Sequence, residues 1–74
     1  MNEEERIKAL KDMIEKRIQN LKEKYKTFKV YTACGEIVAD YCRIGSYESE
    51  YIHLYNSEKY VAMIKIFAIE KIDI

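Results

Sequence analysis

Apolar residues recur at Ile7, Leu10, Ile14, Ile18, Leu21 and Tyr25, at spacings of three and four. That is one face of a 3.6-residue helix. Met13 widens the stripe, while Lys8, Lys11, Asp12, Glu15, Lys16 and Gln19 are expected to point largely away from it. Asn2 with Glu5 three residues on is a capping-box start. Glutamates fill the first turn and lysines crowd the last, both favoured by the helix dipole. Glu4 to Lys8 and Asp12 to Lys16 are correctly oriented ion pairs. The spacing predicts an amphipathic helix over residues 2–26.

After Thr27 the period drops to two. Residues 28–33 are aromatic and β-branched and predict a strand, broken at Cys34-Gly35, where the glycine can supply a positive φ for a hairpin. Residues 36–44 predict a long second strand. Ile37, Ala39 and Tyr41 fall on one face and Val38, Cys42 and Ile44 on the other, so this strand is expected to bend and change sides. A polar loop, 45–50, follows. Residues 51–56 predict a third strand with Ile52 and Leu54 inward. Residues 59–67 predict a fourth, with Tyr60, Ala62, Ile64 and Ile66 as its inner face. Residues 68–74 predict a short fifth, its facing reset near Ala68. The expected fold is mainly β with one N-terminal α-helix: a single domain, 1–74, holding a helix at 2–26 and a five-stranded, strongly bent antiparallel barrel at 28–74.

The chain has 74 residues, 49% hydrophobic and 35% charged, which excludes a disordered or membrane-embedded chain. No apolar run approaches the roughly 18–20 residues that span a bilayer. The glutamates near the N-terminus have the wrong charge for a secretory signal. A cytoplasmic (intracellular) protein without membrane association is the expectation. Abundant Lys, Ile, Tyr and Glu without proline points to an AT-rich or thermophilic source, or a virus. A domain this small buries only about 60% of its unfolded surface and gains from extra support. Cys34 and Cys42 match no metal spacing and His53 is the only histidine, so no metal is expected and self-association is the natural support.

Net charge is zero but unevenly placed: residues 1–29 hold nine basic and six acidic side chains, residues 30–74 four and seven. That excludes a globally basic nucleic-acid binder and leaves a local basic patch at Lys22, Lys24, Lys26 and Lys29. There is no Ser–His–Asp order and no phosphate-binding glycine loop, and Glu48 and Glu50 are neighbours on a solvated loop. The chain is expected not to be an enzyme, and no cofactor or small-molecule substrate is implied.

A helix followed by such strands resembles the Sm-like (LSm/Hfq-type) proteins. The stretch Val30-Tyr-Thr-Ala-Cys-Gly-Glu-Ile-Val38 looks like their first motif. Tyr51-Ile-His-Leu-Tyr-Asn56 is similar to their third strand, and Lys65 to Ile72 resembles the closing motif. The chain departs from the family in reading Ala39-Asp40 where the second strand usually bends at a glycine. It reads Ile66-Phe67 where Hfq holds uridine with a lysine–histidine pair. The resemblance implies an RNA-binding homo-oligomer in which strand four of one subunit pairs with strand five of the next. The RNA-binding residues implied by family position are Tyr47, Lys65, Ile66 and Phe67, with Arg43 added as a local cation, and the subunit interface is expected at Tyr60, Val61, Met63, Ile69 and Ile72. Single-stranded RNA is held by aromatic stacking and local cations, which the chain has. The alternative is a protein–protein interaction scaffold on the same barrel, favoured by the acidic balance of residues 30–74.

Overall fold

The computed structural model describes residues 2–74; Met1, the first residue of the expected domain, lies outside the described residues. Helix α1 spans Glu3–Lys22, and Asn2 caps it by accepting the Glu5 N–H at 2.8 Å. The helix stops four residues short of expectation. The N–H groups of Lys24 and Tyr25 both turn back to the Leu21 carbonyl, at 3.1 and 2.9 Å. Continuing it would have set Lys22 and Lys26 one turn apart, an unfavourable like-charge pair.

Six strands follow: β1 (Phe28–Thr32), β2 (Gly35–Ala39), β3 (Tyr41–Arg43), β4 (Tyr51–Asn56), β5 (Lys59–Lys65) and β6 (Ile69–Asp73). They form two antiparallel three-stranded sheets, ordered β2-β1-β6 and β3-β4-β5. The expected five-stranded barrel is corrected on two points. Its long second strand is split in two at Asp40, and β5 and β6 do not pair with each other, so no barrel closes. Asp40 makes the break specific. Its N–H donates to the Tyr55 carbonyl at 2.9 Å, while its carboxylate accepts the Ser57 N–H at 2.9 Å. Inward positions are Ile37 and Ala39 before it, Cys42 and Ile44 after it, so the expected change of sides occurs within this one residue.

The hairpins follow different rules. Between β1 and β2, Thr32 faces Gly35 across the two-residue loop Ala33-Cys34, and Gly35 has φ +123°. Between β4 and β5, Ser57 and Glu58 both take positive φ, 53° and 66°, as a two-residue hairpin loop of the I′ kind requires, though neither is glycine. Next to it the register skips Val61, since Leu54 pairs with Ala62 and Tyr55 with Tyr60. That bulge turns Tyr60 outward, 56% exposed, where an inward tyrosine was expected. The reset expected near Ala68 is a 3₁₀ turn at Ile66–Ala68.

The core joins Ile7, Ile14, Ile18 and Leu21 of α1 to Phe28, Val30, Ala39, Ile52, Leu54, Ile66 and Ile72. Arg17 fastens the helix to β6, its Nε donating to the Ile72 carbonyl at 2.9 Å. Two helix positions reverse expectation. Met13 is 68% exposed, and Lys11 is completely buried.

Candidate nucleic-acid interface

Lys11 organises the loop that carries the first candidate residue. Its ammonium donates to the carbonyls of Ile44 and Ser46, at 2.8 and 2.6 Å. Burial lowers its pKa, and neighbouring Cys42 partly offsets this. One residue after Ser46, Tyr47 donates its hydroxyl proton to Asp12 Oδ1 at 2.8 Å, and the Lys8 ammonium lies 5.7 Å from its ring centre. The hydrogen bond to Asp12, reinforced by that carboxylate's charge, pushes the Tyr47 phenol above its ordinary value. Loop 45–50 is thus strapped to α1, with Tyr47 partly exposed.

The other candidates do not converge on Tyr47. Phe67 is exposed on the 3₁₀ turn, with the Arg6 guanidinium 5.5 Å from its ring centre. Arg6 and Lys8 are two residues apart, about 200° around the helix, so the two aromatic–cation pairs occupy opposite flanks of α1. Ile66 is buried in the core. Lys65 is paired with Glu50 at 3.5 Å, and the Ile66 N–H donates to the Glu50 carbonyl at 2.8 Å, drawing the loop and the turn together. Arg43 is exposed on β3, directly across from His53.

The basic patch is divided in the same way. Lys24 and Lys26 are exposed after the helix, Lys29 is held by Glu36 at 3.5 Å, and the Lys22 ammonium lies 6.0 Å from the Tyr41 ring centre. A groove of about 800 Å³ runs beside Lys22, between the C-terminal half of α1 and β3; Ile18, Cys42 and Tyr47 are among its lining. Of the residues expected at a subunit interface, Tyr60, Val61 and Met63 are exposed on β5, and Ile69 is half-buried. Ile72 is 7% exposed and packs into the chain's own core.

Alternation supplies the outward tyrosines of the strands but does not bring them together on one face. Tyr41, Tyr55 and Tyr60 stand opposite one another across β3, β4 and β5, with ring centres 5.8 and 5.7 Å apart, and His53 lies 5.9 Å from Tyr60. The signal was present as alternation: Tyr41 and Arg43; Tyr51, His53 and Tyr55; Met63 and Lys65. What hid it was the bulge at Val61, which alone brings Tyr60 to this face.

Among the described residues no three His, Cys, Asp or Glu side chains come together as a metal site requires, and no helix is long and apolar enough to cross a membrane. The architecture defines the chain as a small, mainly β protein of two antiparallel sheets with an N-terminal helix. Comparison with protein-family models, curated proteins and solved structures finds no significant match to this chain.

Proposed function

We propose that this chain is a non-enzymatic Sm-like RNA-binding protein that assembles into a homo-oligomer by strand pairing and binds single-stranded RNA. With the two halves of the bent strand counted together, β1, β2–β3, β4, β5 and β6 stand for the family's five strands. The observation that carries the reading is the position of the free margins. The two sheets have four edge strands: β2 and β3, the halves of the bent strand, and, pairing only with β4 and only with β1, β5 and β6. The last two are the strands that the resemblance makes partners between neighbouring subunits. Each has one side without a strand partner, although Arg17 already donates to the Ile72 carbonyl of β6, and β5 adds exposed Tyr60, Val61 and Met63. Such a margin recruits another strand unless something covers it. Pairing β5 of one protomer with β6 of the next is a head-to-tail contact, which closes to a ring when its rotation allows. The exposed tyrosines, Phe67 and the local cations then repeat around the assembly, so RNA is held without a strong net charge.

The native mass tests the assembly. A hexameric or heptameric species supports it, and a strict monomer at micromolar concentration removes it. Fluorescence anisotropy with oligo-U and oligo-A tests the RNA reading: no binding at low salt ends it. The acidic balance of residues 30–74 favours the second reading, a protein-interaction scaffold. Salt separates the two, because RNA binding weakens steeply with ionic strength and an apolar protein interface barely responds.

A further inference from the structure

The outward side of β3–β4–β5 is the most distinctive surface of the molecule. Its positions run in three rows: Tyr41, Tyr55 and Tyr60; then Arg43, His53 and Met63; then Tyr51 and Lys65. Half of these residues are tyrosines, two are permanent cations, and none is acidic. The Lys22 ammonium reaches the first row from the end of α1, 6.0 Å from the Tyr41 ring centre. We propose that this sheet face is the platform on which single-stranded RNA stacks, with Tyr41 and Tyr60 carrying bases and Lys22 and Arg43 meeting phosphates. The proposal rests on the RNA-binding reading above and moves the main contact away from the loop and the closing turn.

Cross-strand aromatic pairs stabilise a sheet, and that accounts for the middle ring. Tyr55 is half-buried between its neighbours, tilted 52° to Tyr41 and 75° to Tyr60. It does not account for the outer rings, which are 53% and 56% exposed. Tyr55 fixes their positions and leaves much of each ring open to solvent. Two preplaced, half-exposed tyrosines offer aromatic surface to flat, polarisable bases of any sequence. The cations decide against an apolar protein partner as the occupant. Arg43 sits one row from the tyrosines and Lys22 at the edge, where the phosphates of a strand lying across Tyr41 would run. The Glu50 carboxylate, at the far row, is already held by Lys65. Because the tyrosine row runs perpendicular to β3, β4 and β5, the RNA crosses the strands rather than following one of them.

The test uses the full chain and fluorescein-labelled oligo-A and oligo-U at low salt. Tyr41→Leu and Tyr60→Leu remove the ring and keep bulk; each is expected to weaken binding about tenfold, and the pair far more. Tyr60→Phe keeps the ring and is expected to keep the affinity. Phe67→Leu, at the closing turn, is expected to change binding less than either. Should the double variant fail to fold, photocrosslinking of 5-bromouridine RNA to the unaltered chain gives the same answer, with crosslinks expected on Tyr41 and Tyr60. Wild-type binding that survives the folded double variant, or crosslinks confined to Tyr47 and Phe67, overturns the platform and leaves the RNA reading standing. A double variant that keeps its affinity but loses its native mass assigns the face to protein contacts and also overturns the platform. No binding by the wild-type chain removes the RNA reading and the platform with it.

Discussion

Replacing Lys11 with methionine keeps an unbranched side chain in the core and removes the ammonium from the Ile44 and Ser46 carbonyls. Both bonds are short, 2.8 and 2.6 Å, and their donor carries a full charge. Hydrogen bonds to charged groups contribute about 1.5–3 kcal/mol each, so the gross loss is about 3–6 kcal/mol. Two effects reduce it. The ammonium no longer has to be taken out of water, and apolar replacement of buried charge often recovers 1–4 kcal/mol. The Ser46 carbonyl, on an exposed loop, can return to water. The net cost expected for Lys11→Met is about 1–3 kcal/mol, or roughly 5–20 °C in Tm at 4–8 °C per kcal/mol for a chain of this size. Urea unfolding followed by circular dichroism measures it, with Lys8→Met on the exposed face expected within about 0.5 kcal/mol of wild type. The pH dependence adds an independent check. Burial lowers the folded pKa of Lys11 below its ordinary 10.5. As pH rises from that lowered value towards 10.5 the unfolded chain holds the proton longer, so this group's contribution to stability grows. The gap between wild type and Lys11→Met should therefore widen over that window. Equal stability of Lys11→Met and Lys8→Met, with no such widening, would refute the claim that a buried ammonium holds the loop.

The hairpin tip should be improvable. Glu58 sits at φ +66° without being glycine, so Glu58→Gly is expected to raise stability by about 0.5–1 kcal/mol and Glu58→Val to lower it, read from thermal unfolding. Burial, with help from Glu15 and against the nearby Lys11 charge, pushes the Cys42 thiol from 9.0 up to about 12. Its contribution to stability is complete below about pH 9 and is lost as pH rises towards 12, because the unfolded chain ionises first. At pH 9–10, iodoacetamide should therefore modify exposed Cys34 and spare Cys42, with urea abolishing the difference; equal modification of the two in the folded chain, read by peptide mass, contradicts the inward position of Cys42.

The helix, the strand positions and the change of sides within the long second strand were legible because each leaves a period in the sequence. Ile7, Ile14, Ile18 and Leu21 are buried as their spacing predicts, and Ile52 and Leu54 face inward as alternation predicts. Lys11 was misread although its spacing was plain. It lies four residues after Ile7 and three before Ile14, at the centre of the stripe. Its charge argued for solvent, and the carbonyls that outweigh this argument come from a loop more than thirty residues away. Tyr60 was misread for the opposite reason: its chemistry was unremarkable and its phase was shifted by a bulge that no residue type announces. Tyr47 lies on the loop expected for it, while Phe67, expected at the end of the fourth strand, lies on the 3₁₀ turn; their separation onto opposite flanks of α1 depends on how the helix docks, which a linear pattern does not encode.

One residue links the architecture to both functional proposals. At Asp40 the chain passes from one sheet to the other, with the Tyr55 carbonyl and the Ser57 N–H as its partners. A strand running straight through would have kept a single parity, leaving either Ile37 and Ala39 or Cys42 and Ile44 in solvent. The reset buries both pairs and sends Tyr41 and Arg43 outward together, in register with Tyr55 and His53. The chain on either side of the break belongs to a different sheet, and β5 and β6, neighbours in sequence through the 3₁₀ turn, lie at edges of those separate sheets. A domain this small hides only about 60% of its unfolded surface alone. Tyr41 and Arg43 thus reach the aromatic face through the local choice of backbone partners at Asp40, as Tyr60 reaches it through the bulge at Val61, and removing the Asp40 carboxylate should lower the affinity for oligo-A and oligo-U by displacing the first pair.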